Sequence, residues 1–270
     1  MMEKKPLLII KKLTKVFNAG TVNAKTALDR LDLTINDGDF ITVIGGNGAG
    51  KSTLLNAIAG VFQPDEGNLT LDGKLLNGMP EHKRAKFLGR VFQDPMMGTA
   101  ADMQIDENMA LARRRGKIHG LGWSVTPAER EGYRTLLAEL DLGLENRLTS
   151  KVGLLSGGQR QAVTLLMATL IKPKLLLLDE HTAALDPKTA AKVLDITDRI
   201  VNENKLTTLM ITHNMKDAIK HGNRLIMLHA GRVIIDVSGE EKSKLTVEDL
   251  LEMFTKASGD EFANDRAILS

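Results

Sequence analysis

The apolar run Leu175–Leu178 leads directly into two acids, Asp179 and Glu180. Adjacent carboxylates at the end of a buried strand repel each other and are costly to take out of water. Either the strand simply stops there and both acids are solvated, or side-chain alternation aims one at a metal ion and the other at a water to be activated. A second cluster carries more information. The apolar stretch FITVI, Phe40–Ile44, runs into GGNGAGKST, residues 45–53, and then into LLNAIAG. That is GxxxxGK[ST] between a strand and a helix, the context in which the pattern builds a phosphate-binding loop. Gly45, Gly46, Gly48 and Gly50 let backbone N–H groups close on phosphate oxygens, and Asn47 and Ala49 complete the loop. The helix beginning near Lys51 adds its positive end. Lys51 supplies a full charge to the β- and γ-phosphates, Ser52 offers a hydroxyl to Mg²⁺, and Thr53 reaches the α-phosphate. These residues imply nucleotide binding.

The elements that must position them are legible as an alternation of short apolar strands with helical stretches, the mark of an α/β domain with a largely parallel central sheet. Strands are expected at Leu7–Ile10, Leu31–Ile35, Phe40–Ile44, Leu69–Leu71, Phe87–Phe92, Leu175–Leu178, Leu206–Ile211, Leu225–Leu228 and Val233–Val237. The early ones are separated by turn-rich segments such as NDGD, so antiparallel pairing is expected at the front of the chain. Helices are predicted from Lys51 to about Ala59 and from Pro187 to about Asn202. The second has Asp186 as its cap and Pro187 at its first position, with an apolar stripe of Ala190, Val193, Leu194, Thr197 and Val201. Between about 97 and 170 the strand signal vanishes. Thr126-Pro127-Ala128-Glu129 marks a helix start with capping-box spacing, and this span reads as a helical lobe inserted in a domain of residues 1–245. Residues 246–270 give an amphipathic helix (VEDLLEMF) and a polar tail.

Composition narrows the function classes. With 36 basic and 34 acidic residues in 270, the formal charge is only +2, too small for a nucleic-acid-binding field. The absence of cysteine excludes disulfides and thiolate metal sites. The N-terminal apolar run is too short for a signal peptide, and no window approaches the roughly 18 apolar residues that span a bilayer. The expectation is a soluble chain whose membrane role, if any, comes through a partner.

The stretch LLSGGQRQ, Leu154–Gln161, precedes the apolar helix AVTLLMATL. Here the chain resembles the ATP-binding cassette (ABC) ATPases, whose signature LSGGQ stands at Leu155–Gln159. The resemblance covers roughly residues 7–240. It implies a P-loop fold with a mixed central sheet, an antiparallel β front subdomain and an inserted helical subdomain. It also implies a composite site, in which Ser156, Gly157, Gly158 and Gln159 face the nucleotide held by the other subunit of a homodimer. Ser156 has a hydroxyl donor, and the two glycines bare a helix N-terminus to an anion. By the same resemblance Phe17, in TKVFNAG, stacks on adenine. Gln93, in GRVFQDP, contacts Mg²⁺ and links the sheet to the lobe. Asp179 holds the Mg²⁺ shell, and Glu180 is the general base. Asp186 lies in the loop that crosses the dimer interface, and His213, in TLMITHNM, contacts the γ-phosphate. The ligands implied are ATP and Mg²⁺, and the reaction is phosphoryl transfer to water, which rests on positioning and charge stabilisation.

Several positions depart from the family pattern. His181 stands where proline is common, either bonding near the site or marking a different loop path. Ala162 and Met167 replace two arginines after the signature, so the packing of that helix is expected to differ. Gly46 replaces a frequent proline. A single cassette without a fused membrane segment resembles the ATPase subunit of a multi-subunit transporter at the cytoplasmic face of the membrane. Its implied partners are integral membrane permease subunits and an extracytoplasmic substrate-binding protein, without nucleic acid. The pattern of DEHTAALDP and the residues after LSGGQ is most similar to bacterial importers near the aromatic amino-acid uptake systems; an exporter and a non-transport cassette are the alternatives. Methionines 96, 97, 103 and 109 suit either a groove for a permease helix or packing within the lobe. Arg113, Arg114, Arg115 and Lys117 read as a solvated face, with a site for lipid headgroups or a permease loop as the alternative, while Trp123 and Tyr133 have no derived role.

Overall fold

The computed structural model describes residues 5–117 and 125–258. In chain order its elements are β1 (Pro6–Phe17), β2 (Lys25–Asn36), β3 (Phe40–Ile44), α1 (Lys51–Ala59), β4 (Glu66–Leu71), β5 (Lys74–Leu75), α2 (Glu81–Arg84) and β6 (Leu88–Val91). Then come α3 (Ile105–Arg113), α4 (Pro127–Ala138), α5 (Gly157–Thr169), β7 (Leu175–Asp179), α6 (Pro187–Glu203), β8 (Thr208–Ile211), α7 (Met215–Lys220), β9 (Arg224–His229), β10 (Arg232–Ser238), α8 (Gly239–Lys244) and α9 (Val247–Ser258). The chain forms two compact units, Met1–Arg84 with Leu206–Ser270, and Ala85–Lys205.

In the first unit β1 pairs antiparallel with β2 and with β4, giving the order β2-β1-β4-β5. A second sheet places β3 between β8 and β9, parallel to both, with β10 antiparallel to β9. All five residues of β3 are buried, as befits a strand flanked on both edges and covered on both faces. Helices α7 and α9 cover part of this sheet. Met215, Ala218, Leu250 and Phe254 pack with Ile44, Leu225, Met227, Ile235 and Val237 in one cluster. The expected starts of β3 and α1 and the end of α1 coincide with the observed ones. The short β5, α2, α7 and α8 carry too few periods to be read from pattern alone.

Arg84 is completely buried in this unit. Its guanidinium donates to the carbonyls of Ala57 (2.7 Å) and Ile58 (2.9 Å) in the last turn of α1, and to Met79 and Leu76 (2.8 Å each). A cation thus closes the negative end of the helix whose other end is the phosphate loop. A Cβ at Gly60, which ends α1 at φ 89°, would lie 2.7 Å from the Arg84 Nε.

In the second unit β6 and β7 form a parallel pair. The described residues of 97–170 contain helices, a short 3-10 turn at Val152–Leu154 and one isolated bridge, Gln104 with Lys151. Capping boxes open α3 (Gln104 and Glu107), α4 (Thr126 and Glu129) and α5 (Ser156 and Gln159). Asp186 caps α6, accepting from the Thr189 N–H at 3.1 Å. The basic run is not simply a solvated face. Arg114 pairs with Glu129, while Arg115 donates to Ala168 (3.2 Å) and Ile171 (2.8 Å) at the C-terminal end of α5. Both exchange hydration for helix-end partners. Tyr133 is buried in the lobe, whereas Trp123 and the tail beyond Ser258 lie outside the described residues.

Candidate active site

In the first unit, the loop between β3 and α1 is held by its glycines. Gly45, Gly48 and Gly50 have φ of 150°, 80° and 103°, values that favour residues without a Cβ. A Cβ at Gly45 would stand 2.3 Å from the Leu228 carbonyl oxygen, and one at Gly50 would stand 2.5 Å from that of Ala27. The loop is thus wedged between β2 and β9. It is stapled by hydrogen bonds from the Gly231 N–H to Ala49 (3.0 Å) and from the Asp29 N–H to Gly231 (3.1 Å). Gly46 accepts from the Ala49 N–H at 3.2 Å, closing the turn. Lys51 is 8% exposed and folds back over the loop, its Nζ donating to the carbonyls of Gly45 (2.7 Å) and Gly46 (3.2 Å). Asn47 and Gly48 form an exposed crest, and Ser52 and Thr53 lie in the first turn of α1.

Two more predicted residues lie in this unit. Phe17 ends β1 and is 38% exposed, one ring face supported edge-on by Phe62 at 5.5 Å. Lys15 Nζ lies 5.7 Å from the Phe17 ring and 5.3 Å from that of Phe62, and is anchored to Asp65 at 2.8 Å. That is an aromatic platform open for stacking. His213 is exposed beyond the end of β8, directly before Asn214, which caps α7 by accepting from the Lys216 and Asp217 N–H groups.

In the second unit, Asp179 and Glu180 stand at the end of β7, both partly exposed. The sequence did not single out Arg90 on β6, whose guanidinium lies 3.7 Å from Asp179 Oδ2 and stacks over Phe92 at 4.5 Å. Its cation offsets one of the two adjacent acids. Glu180 has φ 43°, a left-handed conformation that costs a non-glycine residue roughly 1 kcal/mol or more. The turn after it is closed by the Ala183 N–H donating to the Glu180 carbonyl at 3.0 Å. Gln93 Nε2 lies 3.5 Å from Glu180 Oε2, long for a hydrogen bond, with Gln93 exposed. His181 is 2% exposed, and its Nε2 is 3.1 Å from Thr197 Oγ1 in α6. The Thr197 hydroxyl donates to Val193 at 2.8 Å, so it accepts from His181, which therefore carries its proton on Nε2. The ring is buried and turned toward α6, where its bond is made.

The signature opens α5. Ser156 Oγ accepts from the Gln159 N–H at 3.3 Å, and Gln159 Oε1 accepts from the Ser156 N–H at 3.2 Å. Ser156 and Gly157 are exposed, while Gly158 is buried because a Cβ there would lie 2.1 Å from Thr189 Cγ2. The second glycine therefore serves packing as well as access. Ala162 is fully buried and Gln161 donates to the Phe92 carbonyl at 3.2 Å, so α5 meets β6 through small and amide side chains. Asp186 is exposed, its carboxyl held below the usual aspartate range by its hydrogen bonds from Thr189.

No group of three His, Cys, Asp or Glu able to hold a metal occurs among the described residues. Of the donors expected for Mg²⁺, Ser52 lies in the first unit, and Gln93 and Asp179, one neutral oxygen and one carboxylate, lie in the second; such oxygen donors are the kind Mg²⁺ takes alongside phosphate and water.

The family described as ABC transporter matches residues 28–183. Over 251 residues, 93% of this chain and the whole of the relative, the sequence is 47% identical to the tyrosine transport ATP-binding protein of Clostridioides difficile. It is 33% identical to the spermidine/putrescine import ATP-binding protein of Pasteurella multocida, over 88% of this chain and 60% of that longer one. Among solved structures, a dimeric ATP-binding cassette in a post-hydrolysis state with ADP and Pi superposes with a TM-score of 0.72 at 29% identity, covering 86% of this chain and 98% of that one.

Proposed function

The chain belongs to the ABC transporter family as an ATPase cassette, and on that premise we propose that it is the ATP-hydrolysing subunit of a multi-subunit importer, driven by ATP-dependent closure of a homodimer. The observation that carries the dimeric part is the opening of α5. Ser156 and Gly157 present an exposed helix N-terminus, suited to an anion, on a chain that already has a phosphate loop. A second copy bringing its own nucleotide to that surface gives both features a use.

In this reading Phe17 stacks on adenine, the loop N–H groups of residues 45–51 and the Lys51 ammonium hold the phosphates, and Ser52, Gln93 and Asp179 hold Mg²⁺. The metal, when bound, neutralises phosphate charge. Glu180 takes the proton of the attacking water, with Gln93 orienting that water and His213 reaching the γ-phosphate. Asp186 of each copy reports one site's state to the other. Most of the rate enhancement comes from fixed charges and donors that need no reorganisation during the reaction.

The importer reading rests on the relatives and on a surface of the second unit. Met96, Met97 and Leu154 are 43%, 69% and 72% exposed, a flexible apolar patch suited to a short permease helix. Met109, by contrast, is fully buried in the lobe, so the methionines divide between surface and packing. No helix of the described residues is long and apolar enough to cross a membrane. In the proposed assembly permease subunits form the transport path, with the cassette at their cytoplasmic face and an extracytoplasmic binding protein delivering substrate. An aromatic amino acid is the substrate class that the tyrosine transport relative supports.

Glu180→Gln tests the mechanism. The variant is expected to bind Mg·ATP, lose turnover by a factor of about 100 or more, and elute as a dimer on a sizing column only when ATP is present. A variant that still turns over at the wild-type rate would remove Glu180 from the role of base.

A further inference from the structure

We propose that Lys25, outside every motif discussed above, is a second lysine for the phosphate chain of the bound nucleotide; this rests on the reading of residues 45–53 as a nucleotide loop. Lys25 begins β2 and pairs in register with Phe17, the last residue of β1. From there its side chain extends to the crest of the loop. A Cβ built on Gly48 would stand 3.1 Å from the Lys25 Nζ and 4.0 Å from its Cε. One cross-strand pair thus presents an aromatic face at one residue and, at its partner, a cation against the phosphate loop.

The placement is electrostatically one-sided. The loop already offers the positive end of α1 and the Lys51 ammonium. Adding a second ammonium to that surface is unfavourable unless an anion lies there too. Among the described residues no hydrogen bond, carboxylate or ring holds Lys25, which is exposed at its strand end. Lys15, by contrast, is neutralised by Asp65 at 2.8 Å. A flexible exposed lysine is free to turn into water at little cost, yet this one lies on the loop. The partner of suitable charge is a polyphosphate whose base sits at Phe17 and whose phosphates sit on residues 45–51. Lys25 then bridges the two ends of the ligand as a point charge with three donors.

The test measures binding of Mg·ATP, Mg·ADP and adenosine by titration calorimetry on the full chain, for wild type, Lys25→Met, Lys25→Arg and, as a control, Lys51→Ala. Lys25→Met is expected to weaken ATP and ADP about ten- to hundredfold, the range of one charge-assisted contact. Adenosine binding and the thermal midpoint of the nucleotide-free protein should not change, and Lys25→Arg should restore most of the loss. A smaller dependence of ATP affinity on salt in Lys25→Met would agree. Unchanged ATP and ADP affinity in Lys25→Met, with Lys51→Ala impaired, would overturn the proposal, as would an equal loss for adenosine. A wild type that binds no nucleotide would instead overturn the reading of the loop itself, so the two failures are distinct.

Discussion

Glu180 shows how much one residue depends on its neighbours. Its left-handed backbone, φ 43°, persists because the turn after it is tied down, by its own 3.0 Å hydrogen bond and by the His181 ring on Thr197. Proline would stiffen such a turn through its ring; here a buried hydrogen bond does so. His181→Ala is therefore expected to lower kcat for ATP several-fold while leaving KM nearly unchanged, because the proposed phosphate loop is untouched and only the proposed base loses its support. Urea unfolding should show a loss of about 1–3 kcal/mol from the emptied site and the lost bond. Parallel changes in kcat and KM would count against a positioning role. Asp179 and Arg90 make the same point for charge. The adjacent acids look prohibitive in the linear chain, but the strand beside β7 supplies a guanidinium 3.7 Å from one of them.

At the scale of elements, helix ends carry the chemistry of the proposed site. The N-terminus of α1 faces the phosphate loop and that of α5 carries the signature, and in each case an arginine serves the opposite end. Arg84 takes the carbonyls at the end of α1, and Arg115 takes those at the end of α5. Burial pushes both guanidinium pKa values down without neutralising them. Replacing Arg84 by Met removes four donated bonds and leaves buried carbonyls unsatisfied. The expected cost is roughly 3–5 kcal/mol, read as a lower urea midpoint. An unchanged midpoint would mean that water enters to replace the guanidinium. Nothing in HKRAKF distinguishes Arg84 from its basic neighbours, since its partners lie 5 to 27 residues away.

For the whole molecule, charge balance and helix caps set the response to acid. Asp65 is held below the usual carboxylate range by its hydrogen bond from Lys15, Glu129 and Asp249 by theirs from Thr126 and Thr246, and Asp186 by that from Thr189. A folded pKa below the unfolded value means that the stabilisation is complete above the unfolded pKa, about 4. It is lost as pH falls through the folded values. The urea midpoint is thus expected to stay level from neutral pH to about 5 and to fall below about 4. A midpoint that rose on acidification would show that these caps do not contribute.

What the linear chain determined was whatever has a local physical cause. The strand FITVI, the glycines of the loop, the start of α1 at Lys51, the Thr126 and Asp186 caps and the signature at Leu155–Gln159 each follow from the periodicity, backbone freedom or hydrogen-bonding capacity of consecutive residues. These were enough to propose the nucleotide loop and to place two acids at the end of β7. Only the tertiary structure decided which distant side chains complete them. Lys25 reaches Gly48, Arg90 meets Asp179, Thr197 receives His181, and Thr189 forbids a Cβ at Gly158. Those contacts depend on strand register and helix packing, where one residue's shift turns a side chain to the opposite face, and no local pattern encodes the outcome.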